Sequence, residues 1–244
     1  MTSDGTDARD KELSLIEHLA ELKSRLVVSA IAVAITTTIS FLFATPIIKI
    51  LLLPSGQRKL VSFSPTENFS TIFHVALMSG IALAMPVLLY EVYAYIDPAL
   101  HKHERRFLLT MGPFVLLLFV SGMLFCYFFL LPPAIDFLIH FGDEVIENQL
   151  RASEYLSFVT TYILALGLVF EMPAIIYALI RVGVVKRAVL TRARRYVFLA
   201  CFIIGAVITP TPDPFNQTLV SLPMYFLFEL GLLLGRFGVP RSAT

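Results

Sequence analysis

Long stretches of the chain with no or almost no charged residue constrain its fold more than any other feature. They run from Leu26 to Ile48, Phe69 to Tyr90, Phe107 to Ile135, Tyr155 to Ile180 with Glu171 inside, Tyr196 to Thr209, and Pro214 to Leu234 with Glu229 inside. The first four match the roughly 20 residues that an apolar helix needs to cross a bilayer. Mean hydropathy of +0.79 with only 15% charged residues means that a soluble domain of this size could not stay dissolved. Lipid is the solvent that such a chain calls for. The fold class expected is an all-α integral membrane protein with six transmembrane helices, both termini cytoplasmic and the last two helices short.

The shortness follows from the fifth stretch. Tyr196 to Thr209 is 14 residues, which at helical rise spans about 21 Å against a hydrocarbon core of about 30 Å. The turn from Thr209 to Pro214 then forces local thinning of the bilayer or shelter by neighbouring helices. Four spans plus a re-entrant hairpin is the alternative count. Helix starts are written locally. Asp213 can cap a helix with Pro214 at its first position, Asp97-Pro98 repeats that device, and Ser64-Pro-Thr-Glu67 and Ser14-Leu-Ile-Glu17 read as capping boxes.

Of the 19 Lys and Arg residues, 15 fall on one side if both termini share it. The positive-inside rule makes that side the cytoplasm, with the chain multi-pass in the cell (inner or plasma) membrane. Residues 1–12 read as a disordered cytoplasmic terminus, 13–235 as one six-helix domain and 236–244 as a cytoplasmic tail. The acid-rich first 25 residues disfavour a transit peptide, so the N-terminus is expected to be retained. A formal net charge of +1 without blocks of like charge excludes a strongly basic nucleic-acid binder. Cys126 and Cys201 lie in apolar stretches outside any Cys/His cluster, so they read as buried free thiols and not as a metal site.

Three places carry chemistry. Glu21 lies on an amphipathic stretch with Leu15, Leu19, Leu22 and Leu26 along one stripe, and it can form an i,i+4 pair with Arg25. Glu104 sits among His101, Lys102, His103, Arg105 and Arg106, which can neutralise it. Two carboxylates on one membrane face could equally receive two guanidinium groups through bidentate, charge-assisted hydrogen bonds. Glu171, near the middle of the fourth span, must be neutral, paired or bathed in water at that depth, so a functional placement is the default and a protonated structural Glu the alternative. Pro173 beside it is placed to open a kink. Glu91 and Glu229, near span ends, are expected to snorkel to the interface.

The segment His18-Leu-Ala-Glu-Leu-Lys-Ser-Arg-Leu26 resembles the amino-terminal His-Leu-x-Glu-Leu-Arg-x-Arg-Leu of the TatC family, and Tyr95 to Arg106 resembles that family's first cytoplasmic loop. Phe63-Ser-Pro-Thr-Glu67, Phe170-Glu-Met-Pro173 and the segment Pro223 to Glu229 are also similar to family segments, in order along nearly the whole chain. The resemblance implies a receptor in the twin-arginine translocase that reads the paired arginines in signal peptides of folded proteins. Glu21, Lys23, Tyr95, Glu104 and Arg106 would form its binding surface. It further implies an oligomeric complex with single-span TatA- and TatB-type subunits docked against the last two helices at Ala206, Val207, Asp213 and Gln217.

Two departures stand out. Lys23 occupies a position where the family usually has Arg, and a point charge replaces a planar fork there. The Thr209 to Asp213 turn is one residue longer than the family's usual form. No cofactor is implied. A competing reading is an ion- or proton-coupled permease using Glu171, and it would need more intramembrane polar partners than this chain offers. An enzyme is disfavoured, since no Ser/His/Asp set, His-Glu-x-x-His or phosphate loop occurs.

Overall fold

The computed structural model describes residues 4–56, 60–96, 102–141, 150–209 and 213–238, with side chains from residue 18 onward except at 97–109 and 237–238. Within these residues the molecule is helical: α1 (Asp4–Leu42), α2 (Ala44–Leu52), α3 (Pro65–Ile96), α4 (Lys102–Phe125), α5 (Leu131–His140), α6 (Ala152–Val169), α7 (Met172–Arg181), α8 (Arg187–Arg192), α9 (Arg194–Ile208) and α10 (Pro214–Gly238). Five helical units are long and apolar enough to cross a membrane: His18–Leu42, Pro65–Ile96, Thr110–His140, Ala152–Arg181 and Pro214–Arg236. Helix α9, at 15 residues, spans about 22 Å and is the short one.

The expectation that both last helices are short is corrected by α10, whose 25 residues reach about 37 Å. Arg236 does not end this helix. It sits in the last turn, where a cation complements the exposed carbonyls. At the other end, α10 starts as its sequence dictates, with Pro214 first and Asp213 accepting the Asn216 backbone N–H at 2.7 Å through Oδ1. Ser14 lies inside α1, and this helix already runs from Asp4, within the segment 1–12 read from sequence as lacking regular structure.

Two helical units are interrupted where proline requires it. Between α4 and α5, Cys126–Leu130 form a π-helical turn in which the Leu131 N–H bonds the Cys126 carbonyl five residues back. Pro132 and Pro133 follow, and the wider turn accommodates the two N–H groups they lack. Between α6 and α7, Pro173 stands at the second position of the new helix, and Phe170 and Glu171 form the break. The helix is therefore interrupted beside Pro173, where a kink is expected.

Lipid tails are as apolar as leucine, so helices in a bilayer associate through close packing and hydrogen bonds more than through hydrophobic burial. The crossings here fit that rule. Where α1 crosses α3, a Cβ on Gly80 would run into the side chain and backbone of Thr37, and Thr36 Oγ1 donates to the Gly80 carbonyl at 2.8 Å. Where α9 folds back on α10, a Cβ on Gly205 would meet Ser221, whose hydroxyl donates to the Cys201 carbonyl at 3.1 Å. Val75 of α3, Cys126 of the π-turn, Leu131 of α5, Val159, Tyr162 and Leu166 of α6 and Val220 of α10 belong to one buried core. Cys126 and Cys201 are buried free thiols, as read from the sequence.

Candidate functional site

Helix α3 carries a carboxylate near each end, Glu67 and Glu91, and each organises one pole of the molecule. At the Glu91 pole the side chain is only 6% exposed. A buried carboxylate needs a partner, and it has one in α1: Arg25 Nη1 donates to Glu91 Oε2 at 3.1 Å. The other terminal nitrogen of the same guanidinium donates to Glu21 Oε1 at 3.3 Å. The expected i,i+4 pair of Glu21 and Arg25 thus exists as part of a triad. Glu91 does not snorkel, because the crossing of α1 over α3 brings a cation to it.

One turn earlier on α1, the His18 ring stacks on Tyr95 with centroids 4.5 Å apart and planes 21° from parallel. The stack and the triad together fasten the middle of α1 to the last turns of α3. Glu21 and Tyr95 are therefore brought to one pole, both half-buried, and Lys23 is exposed on α1. Glu104 and Arg106 belong to the first turns of α4, and their side chains lie outside the described residues.

At the Glu67 pole one half of the capping box is built as the sequence implies, while the Glu67 carboxylate reaches one residue past the Ser64 cap. The Glu67 N–H donates to Ser64 Oγ at 3.2 Å, and Glu67 Oε2 accepts from the Phe63 N–H at 3.0 Å. The same carboxylate also takes the Arg151 Nε–H at 2.9 Å and the Ser153 hydroxyl at 2.6 Å, from the start of α6. Hydrogen bonding from Glu67 holds the Arg151 guanidinium above its already high ordinary pKa. Beside it Val61 and Arg151 form a parallel bridge, with Val61 N–H on the Leu150 carbonyl and Ala152 N–H on the Val61 carbonyl, both at 2.9 Å. This clasp ties Glu67 to Arg151, 84 residues away, and reading Glu67 as a cap alone missed it.

Glu171 sits in the α6–α7 break, 6% exposed, and its Oε1 finds no hydrogen-bond partner among the described residues. The backbone around it stays bonded: Glu171 N–H reaches the Leu168 carbonyl at 3.1 Å, and the Glu171 carbonyl takes the Ile175 N–H at 3.0 Å. Ten residues before Arg181, it lies about 15 Å from that charge along the helix. Glu229, partly exposed near the end of its span, accepts from Arg194 Nη2 at 2.7 Å and from the Tyr225 hydroxyl at 2.9 Å.

On the α9–α10 hairpin, Ala206 and Val207 are exposed, Val207 at 80%. Asp213 and Gln217 are engaged within the hairpin, Asp213 as the helix cap and Gln217 donating Nε2–H to the Phe202 carbonyl at 2.9 Å. The four residues therefore divide into two that face outward and two that shape the hairpin.

Residues 17–223 match the family described as Sec-independent protein translocase protein (TatC). The chain is 33% identical over 235 residues to the TatC of Carboxydothermus hydrogenoformans, covering 96% of this chain and 97% of the relative. It is 38% identical over 236 residues to the TatC of Escherichia coli K12, covering 93% and 90% respectively. A crystal structure of a Twin Arginine Translocase Receptor, TatC, superposes with a TM-score of 0.81 at 36% identity, covering 91% of this chain and 99% of that one. With that match in sequence and in fold, and with its array of apolar spanning helices, the chain belongs to the TatC family of multi-pass membrane proteins, protein-transport components of the twin-arginine system.

Proposed function

We propose that this chain is the signal-reading receptor of its translocase, binding the paired arginines of signal peptides at the Glu91 pole. The observation that carries the reading is the convergence there of the half-exposed Glu21 carboxylate and the His18–Tyr95 stack, beside the helix whose first turn holds Glu104. Glu21 and Glu104 accept the two guanidinium groups, Tyr95 lines the place where they arrive, and Lys23 and Arg106 frame it. A carboxylate takes a guanidinium through two parallel N–H bonds and an ammonium through one point contact, so geometry favours arginine over lysine.

On this reading the Glu91 pole faces the cytoplasm of the cell (inner) membrane with both termini on that side, in keeping with the charge asymmetry. Single-span TatA- and TatB-type subunits dock on the α9–α10 hairpin, where Val207 and Ala206 offer side chains to a neighbouring helix. Asp213 and Gln217 serve that docking by setting the shape of the hairpin. The test is site-specific crosslinking of a signal peptide with two adjacent arginines to positions from Tyr95 to Arg106. Crosslinks there, lost on changing the arginines to lysines, are expected, and their absence would refute the reading. Glu21→Ala and Glu104→Ala should each weaken the arginine peptide about tenfold or more, with little effect on a lysine peptide.

A further inference from the structure

The Arg25 guanidinium already occupies the carboxylate that an incoming arginine needs. Its two terminal nitrogens are divided between two acceptors, Nη1 on Glu91 at 3.1 Å and Nη2 on Glu21 at 3.3 Å. Neither contact is the forked, two-bond pairing that a guanidinium makes with a single carboxylate. The two acceptors also differ in surroundings. The Glu91 side chain is 8% exposed and the Glu21 side chain 31%. Losing Arg25 would leave Glu91 a buried charge with no other ion-pair partner among the described residues, a strongly unfavourable state, whereas Glu21 can turn to water or to another cation at little cost. Arg25 is therefore anchored at Glu91 and only leans on Glu21.

We propose that Arg25 is a resident placeholder for the incoming guanidinium, and that Glu91 is the positioning residue that stops Arg25 from closing on Glu21. The proposal rests on the signal-reading function above and adds its regulation. An arriving arginine forks onto Glu21 and displaces one long contact, while Arg25 stays paired with Glu91. A lysine can offer only a point contact and competes poorly with the placeholder. Discrimination between the two cations thus comes partly from a competitor built into the receptor, in addition to the shape of its carboxylate.

The experiment measures binding of two synthetic peptides, one with adjacent arginines and one with adjacent lysines, each followed by an apolar segment, to the purified full chain in detergent. Glu91→Gln frees both Arg25 nitrogens to fork onto Glu21, and affinity for the arginine peptide should fall about tenfold. Glu91→Gln with Arg25→Gln removes the competitor as well and should restore wild-type affinity or better. A purely structural Glu91 predicts no such rescue. Unchanged binding in Glu91→Gln, or a double variant as weak as the single, overturns the proposal.

If Glu91→Gln does not yield folded protein, Arg25→Lys decides. Its ammonium satisfies buried Glu91 through its one nitrogen and has no second terminal nitrogen to lean on Glu21, so the arginine peptide should bind several-fold tighter and discrimination against lysine should narrow. Unchanged or weaker binding overturns the proposal. Glu21→Gln separates the two levels of inference. Intact arginine-peptide binding in Glu21→Gln would sink the signal-reading function together with the placeholder, whereas weakened binding there with inert Glu91 and Arg25 variants would sink the placeholder alone.

Discussion

Gly80 at the α1–α3 crossing has no room for a side chain. An added methyl would meet the Thr37 hydroxyl and also its backbone Cα and N, which cannot rotate away. Gly80→Ala should cost about 1–3 kcal/mol of stability, read as a lower thermal midpoint in detergent. Adding Thr37→Ala should fail to restore it, because the backbone obstruction remains. Glu171 makes a different prediction, since it is buried with one oxygen unpartnered among the described residues and far along the helix from the nearest charge. Glu171→Ala should impair export at normal abundance and near-normal signal binding, and Glu171→Gln should be milder unless ionisation itself is required. Loss of the protein, or of signal binding, in Glu171→Ala would contradict a transport role. Sequence made some residue roles readable and left others dark for one reason. The Ser64–Glu67 and Asp213–Asn216 caps close within three residues, so local pattern reveals them. The partners of Glu91 and Glu67 lie 66 and 84 residues away, and no local signal names them. A carboxylate near the end of an apolar span announces that it needs a partner, and only the helix crossings supply one.

Elements were readable to the extent that their ends are chemical. Pro173 marks the α6–α7 interruption and Asp213-Pro214 the start of α10, whereas the break before Pro132 and Pro133 falls inside a stretch that reads as continuous from Phe107 to Ile135, and Pro86, Pro113 and Pro223 stay inside unbroken helices. The short α9 follows from the spacing between its leading arginines and Thr209. The start of α1 was not readable, because a capping box at Ser14 is worth only about 1 kcal/mol and does not stop the helix from running back into the charged residues before it. Nothing local announced the clasp at the Glu67 pole either, since its bridge pairs single residues from two loops. That clasp should behave as one unit. Arg151→Ala should speed hydrogen exchange of the Val61 and Ala152 amides roughly tenfold or more, as the segments separate. Glu154→Ala should leave both amides protected, because its 3.4 Å contact with Arg151 is exposed and of little weight. Equal exchange in the two variants would show that the backbone bridge holds without the carboxylate.

For the molecule as a whole, the orientation prediction can be checked directly. Cysteines introduced at Thr2 and Ser242 should resist an impermeant reagent added outside intact cells, and one at Gln149 should label. Labelling at either terminus would reverse the proposed sidedness of the Glu91 pole and of the signal-reading site with it. The amino-acid sequence by itself determined that the chain is helical and lives in lipid, where most of its apolar elements lie, how several of them start and break, and to which family it belongs. Those properties depend on charge-free length, proline and capping chemistry, which act within a few residues and need no knowledge of neighbours. Only the tertiary structure decided which charges pair, that one arginine is divided between Glu21 and Glu91, and that Glu67 ties two distant loops together. Helices in lipid choose partners by close contact at small residues such as Gly80 and Gly205, and the register of those crossings places each ion pair. A crossing shifted by one turn would leave the same sequence signals in place and bring different side chains together.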